Sequence, residues 1–118
     1  MSHDARVALT IANGGTTSPA LSSVWSKGQA RSAIGVAADL IIYAPAALTG
    51  VVTIEISPSY GGALGWSTLQ ANGADVTVPA GKAISVPIGA FGDIRLKSAG
   101  AEGAARDFQL VFQEVMDN

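Results

Sequence analysis

The chain has 118 residues, one domain's worth of sequence and enough to bury a two-layer core, and its lack of cysteine excludes disulfides and thiolate metal sites. Seven Lys and Arg against nine Asp and Glu give a formal net charge of −2 with the basic residues scattered, which argues against the concentrated phosphate-binding face of a nucleic-acid binder. Charged residues are 14% of the chain, about half the usual share of roughly 25%, so the surface is either compositionally small-residue or covered by neighbouring subunits.

The N-terminal Met1–Arg6 lacks a charged segment followed by an apolar stretch, so no signal peptide is expected, and the absent cysteines fit assembly in a reducing cytoplasm. Arg6–Ile11 alternates Val7, Leu9 and Ile11 on one side and stops at Asn13-Gly14-Gly15, the pattern of a strand. Ala30–Ala38 is Ala-rich, but Gly35 and the β-branched Ile34 and Val36 predict an extended segment rather than a helix. Asp39–Ala44 is a continuous apolar run, the pattern of a strand covered on both faces or buried near a sheet centre. The nearly apolar Leu40–Leu48 is far too short to span a bilayer, so no membrane contact is expected.

Val52–Ser57 alternates again and ends at Pro58, which has no N–H for a ladder. Asp75–Val78 and Ala83–Val86 flank Pro79-Ala80-Gly81-Lys82, which predicts a hairpin. Asp93–Lys97 and Phe108–Val115 complete the set, while Ala44–Leu48 and Ala99–Ala105 are predicted loops because Pro45, Gly100 and Gly103 interrupt them. About eight short strands with regular turn signals predict an all-β antiparallel sandwich, jelly-roll-like by first choice and immunoglobulin-like by second. One domain spanning residues 1–118, with short flexible termini, accounts for the whole chain.

Catalytic constellations are missing from the sequence. His3 is the single histidine and sits in a polar terminal segment, so neither a Ser-His-Asp triad nor a His/Cys zinc site is expected. Asp39, Glu55, Asp75, Asp93, Glu102, Asp107 and Glu114 fall mostly at outward strand positions or in turns, not across a cleft as paired carboxylate chemistry requires. Gly61–Gly65 has no following Lys-Ser/Thr, and no Asp ladder for calcium occurs, so no nucleotide, metal or other cofactor is expected. The protein is expected not to be an enzyme. Trp66 is expected to cap one end of the core, although exposed and coplanar Tyr60 and Trp66 would make a glycan-binding module the alternative.

Four segments carry a family resemblance. Ser57–Leu69, which reads Ser-Pro-Ser-Tyr-Gly-Gly-Ala-Leu-Gly-Trp-Ser-Thr-Leu, resembles a Ser-Pro-Asp-Gly-Gly-x-x-Trp-x-x-Leu strand–loop–strand. Val78–Pro87 looks like a Val-Pro-Ala-Gly hairpin, Phe91–Ser98 like an Ile-Arg-Leu-x-Ser strand, and Arg106–Leu110 like an Arg-x-Phe-x-Leu closing strand. Together these segments of 51–112 are similar to small β-sandwich virion structural proteins of tailed bacteriophages. The chain departs from the pattern at Ser59-Tyr60, where an Asp is usual, and in a longer loop.

The resemblance implies a capsid-decoration (cement) protein, or alternatively a head–tail or tail-associated one, with no active site. It implies assembly in the host cytoplasm, residence in the virion, and partnership with capsid or other virion proteins and with further copies of itself. Neither nucleic acid nor membrane is an expected partner. Candidate contact residues are Trp25 and Arg31 in Ser22–Ser32, and Tyr60 and Leu64 in the glycine loop, with Met1–Ala5 and Val115–Asn118 as arms.

Overall fold

Alternating sequence becomes alternating burial in the computed structural model, which describes residues 4–86 and 92–114. His3, the arm residues 1–3 and 115–118, and the quoted Pro87 and Phe91 lie outside the described residues. The elements run β1 (Asp4–Ile11), α1 (Leu21–Val24), α2 (Lys27–Val36), β2 (Ala37–Tyr43), β3 (Val52–Ser57), β4 (Ser67–Thr68), β5 (Gln70–Ala71), β6 (Ala74–Asp75), β7 (Ala83–Val86), β8 (Asp93–Ser98) and β9 (Arg106–Glu114).

A four-stranded sheet in the order β1-β9-β2-β7 faces a three-stranded sheet in the order β4-β3-β8, and β5-β6 forms a separate hairpin. Every pairing is antiparallel. Leu9, Ile11, Leu40, Ile42, Phe108, Leu110 and Phe112 from the first sheet meet Val52, Ile54, Ile94 and Leu96 from the second in one buried cluster. Because side chains alternate across a strand, each of these positions puts its neighbours on the outer face. The fold is therefore the expected all-β antiparallel sandwich.

Two local expectations are overturned. Residues 27–36 are helical, not extended, and the signal for this lies just upstream. Ser26 Oγ accepts from Gln29 N–H at 3.2 Å, and Gln29 Oε1 accepts from Ser26 N–H at 2.9 Å, closing a capping box. Ala30 and Ala33 then lie on the buried face, so packing outweighs the poor propensities of Gly35 and the β-branched residues.

The predicted hairpin over 75–86 is the second correction. Val78 N–H donates to Val52 O at 2.9 Å and Thr77 bridges Thr53, both on the three-stranded side. Ala83–Val86 instead pairs with Tyr43–Leu40 of β2. The turn at Pro79–Lys82 forms, with Lys82 N–H on Pro79 O at 3.1 Å, but it carries the chain from one sheet to the other. The tight hairpin is at Asn72-Gly73, whose φ values of 55° and 81° suit a two-residue turn between β5 and β6. That Asn-Gly pair was a legible signal which the strand pattern alone passed over.

The chain leaves β1, touches the edge of β8 through the Thr17–Lys97 bridge, and then forms α1 and α2 before entering β2. Leu21, Ala30 and Ala33 join the core from these helices, so they close one end of the sandwich. No helix among the described residues is long and apolar enough to cross a membrane.

Candidate functional site

Asp93 and Glu102 are buried, not exposed, and Glu55 keeps its outward strand position but is covered there beside Arg95. Their surroundings explain why. Asp93 Oδ1 accepts from Ser22 N–H at 3.1 Å and from its neighbour Ile94 N–H at 2.9 Å, while Oδ2 accepts from Gly61 N–H at 2.9 Å. It thus ties α1 and the glycine loop to the start of β8.

Glu102 accepts from Thr49 N–H (2.7 Å) and Arg106 Nε (2.9 Å) on one oxygen, and from Gly50 N–H (2.9 Å) and Ser98 Oγ (2.6 Å) on the other. Burial pushes its carboxyl pKa up, but the hydrogen bonds from Ser98, Thr49, Gly50 and Arg106 outweigh that and lower it from 4.5 to about 2. Both carboxylates are filled by main-chain and fixed side-chain donors, an arrangement that joins loops. Among the described residues no group of three His, Cys, Asp or Glu side chains could hold a metal ion.

Trp66 does not cap the core. Arg95 lies on the outer face of the three-stranded sheet, with Nε 2.7 Å from Glu55 Oε1, and its guanidinium sits 4.2 Å from the Trp66 ring centroid. Gly62, at φ +73°, lets the loop pass the indole, since a Cβ there would come within 2.6 Å of Trp66 Nε1. Tyr60 has different surroundings. It packs against the core and its hydroxyl lies 2.6 Å from Trp25 O and 3.2 Å from Ser22 O.

Of the four candidate contact residues, Trp25 and Tyr60 are half-buried and structural. The Trp25 ring packs on Phe112, with centroids 5.3 Å apart. Arg31 is exposed on α2, and Leu64, at 73% exposure, is the most open large apolar side chain among the described residues. Arg31 and Tyr60 come together across a groove of about 440 Å³ between α2 and the glycine loop. Lys27, Ala30, Arg31 and Ile34 supply one wall, and Pro58, Ser59, Tyr60 and Gly92 the other. Lys27 was not singled out from sequence, because its i, i+4 relation to Arg31 exists only once the segment is helical.

A second surface was also missed. The outer face of the four-stranded sheet aligns Arg6, Val111, Ile41 and Ser85 in one row and Ala8, Gln109, Tyr43 and Ala83 in the next. β2 lies inside this sheet, and its two faces are covered unequally: Leu40 and Ile42 are buried, whereas on the other face Ile41 is half-buried and Tyr43 is 46% exposed. Strand pattern could reveal the run but not that its outer face leaves Tyr43 exposed. No protein-family model, no curated protein and no solved structure matches this chain.

Proposed function

We propose that this chain is a non-enzymatic structural protein of a tailed-bacteriophage particle, a capsid decoration or cement protein that docks on the capsid lattice and oligomerises. The observation that carries the reading is the outer face of the four-stranded sheet, where the exposed Tyr43 and half-buried Ile41 lie beside Arg6, Gln109 and small side chains, with Val111 buried among them. A strand with apolar residues directed to both faces is the composition of a doubly covered strand, and a neighbouring subunit is what covers the second face. A standard interface takes roughly 800 Å² from each partner, which a chain exposing 6096 Å² can supply more than once.

Further support comes from the low charge, from carboxylates filled by internal donors, and from the resemblance over 51–112. A jelly-roll topology belongs to the same proposal. The side-by-side first and last strands and the Thr17–Lys97 bridge at the edge of the three-stranded sheet favour it over an immunoglobulin-like one. A head–tail or tail-associated position is the alternative setting. The glycan-binding reading has no comparable support, since Trp66 stacks on Arg95 and the Tyr60 hydroxyl points at Trp25 O.

The test is sedimentation velocity of the purified chain from low to high micromolar concentration, followed by co-sedimentation with particles made by the genome that encodes it. Concentration-dependent self-association and pelleting with particles are expected. A strict monomer that stays in the supernatant defeats the proposal.

A further inference from the structure

The groove between α2 and the glycine loop has a chemistry of its own. Its floor is apolar, from Ala30, Ile34, Pro58 and the Tyr60 ring, and its cationic side chains are Lys27 and Arg31, one helical turn apart and both exposed. Among the described residues neither cation is in an ion pair. Ser59 adds a hydroxyl whose oxygen accepts from Leu64 N–H at 3.0 Å and whose O–H has no acceptor among the described residues. The Ser26–Gln29 capping box already occupies the start of α2, so the positive character comes from side chains and not from open helix N–H groups.

We infer that this groove docks an acidic segment of a partner protein, with a carboxylate between Lys27 and Arg31 and an adjacent apolar side chain on the floor. Charge complementarity selects the acid: the protein is net −2, yet among the described residues no Asp or Glu lines this groove. Among the described residues no Asp, Glu, Asn or Gln lines the groove, which also disfavours a sugar, whose hydroxyl donors would find no side-chain amide or carboxylate acceptor there. Exposed ion pairs contribute little alone, so a bare anion would bind poorly. An acidic residue next to an apolar one combines the two weak contributions, and a peptide segment supplies that pairing. The inference stands independently of the particle setting and of self-association.

The experiment is fluorescence anisotropy with a labelled, end-capped hexapeptide of alternating glutamate and leucine. It uses the full chain carrying Tyr43→Glu, so that self-association cannot contribute to the signal. Binding on the order of 100 μM is expected, weakened by sodium chloride. Lys27→Glu with Arg31→Glu is expected to weaken binding by about tenfold or more without changing the thermal midpoint, because both side chains are exposed. Replacing glutamate by glutamine in the peptide should do the same. Equal binding by the double variant or by the glutamine peptide overturns the inference. So does competition by inorganic phosphate or heparin at matching concentrations, or no binding up to about 1 mM.

Discussion

Replacing Glu102 by Gln removes a charge and half of an acceptor set at a side chain that is 1% exposed. The carboxylate joins three pieces of chain: Thr49-Gly50, Ser98 and Arg106. A glutamine would present an NH₂ where donors already point, leaving Thr49 N–H and Arg106 Nε–H, or Gly50 N–H and Ser98, facing another donor. The native lowering of the carboxyl pKa from 4.5 to about 2 corresponds to about 3 kcal/mol of stability at neutral pH. For a chain of this size that is a fall of about 10 °C in midpoint.

The sign follows from linkage. The folded pKa lies below the unfolded one, so the contribution is fully present above about pH 5.5 and is lost as pH falls towards 2. Urea unfolding of wild type and Glu102→Gln at pH 7, 5, 4 and 3 measures it, because other titrating groups are common to both proteins. The gap should be about 3 kcal/mol at pH 7 and should shrink by more than half by pH 3. A gap under about 1 kcal/mol at pH 7, or one that stays constant to pH 3, refutes the electrostatic account of this hub.

Gly62→Ala should destabilise by about 1–3 kcal/mol and red-shift tryptophan emission, since the new Cβ meets Trp66 at a φ of +73°. Denaturant titration and fluorescence spectra check both. Tyr60→Phe removes the hydroxyl at Trp25 O and should lower stability by about 1 kcal/mol in urea melts. Tyr43→Glu places a charge on the open sheet face; sedimentation should show loss of self-association with stability changed by less than about 1 kcal/mol. Leu64→Ser, at an exposed loop tip, should leave the unfolding free energy from urea melts within about 0.5 kcal/mol of wild type.

The hydrogen-bonded carboxylates bear on function by subtraction. Asp93 holds the glycine loop to α1 and Glu102 holds the opposite loops together, so the acids that sequence marked as surface groups serve as braces. Satisfied acceptors in a buried site rigidify loops, and among the described residues no buried side-chain polar atom lacks a partner. Two surfaces accessible to other molecules are the outer face around Tyr43 and the groove beside Arg31.

Period-2 alternation in Val7–Ile11, Val52–Ile56, Ile94–Leu96 and Phe108–Phe112 was enough to establish strands, their inward faces and an all-β class, because burial of one face is a local property of the pattern. Partners were not legible. Val78 and Ala83 flank a good turn yet pair with different sheets, and only the assembled core decides which edge each strand meets. The same reason explains α2, where Ala30 and Ala33 gain burial that single-residue propensities do not count. It also explains the candidate site. Arg31 and Tyr60 could be picked out singly, but their shared groove, with Lys27 beside Arg31, exists only where a helix closes the end of the sandwich.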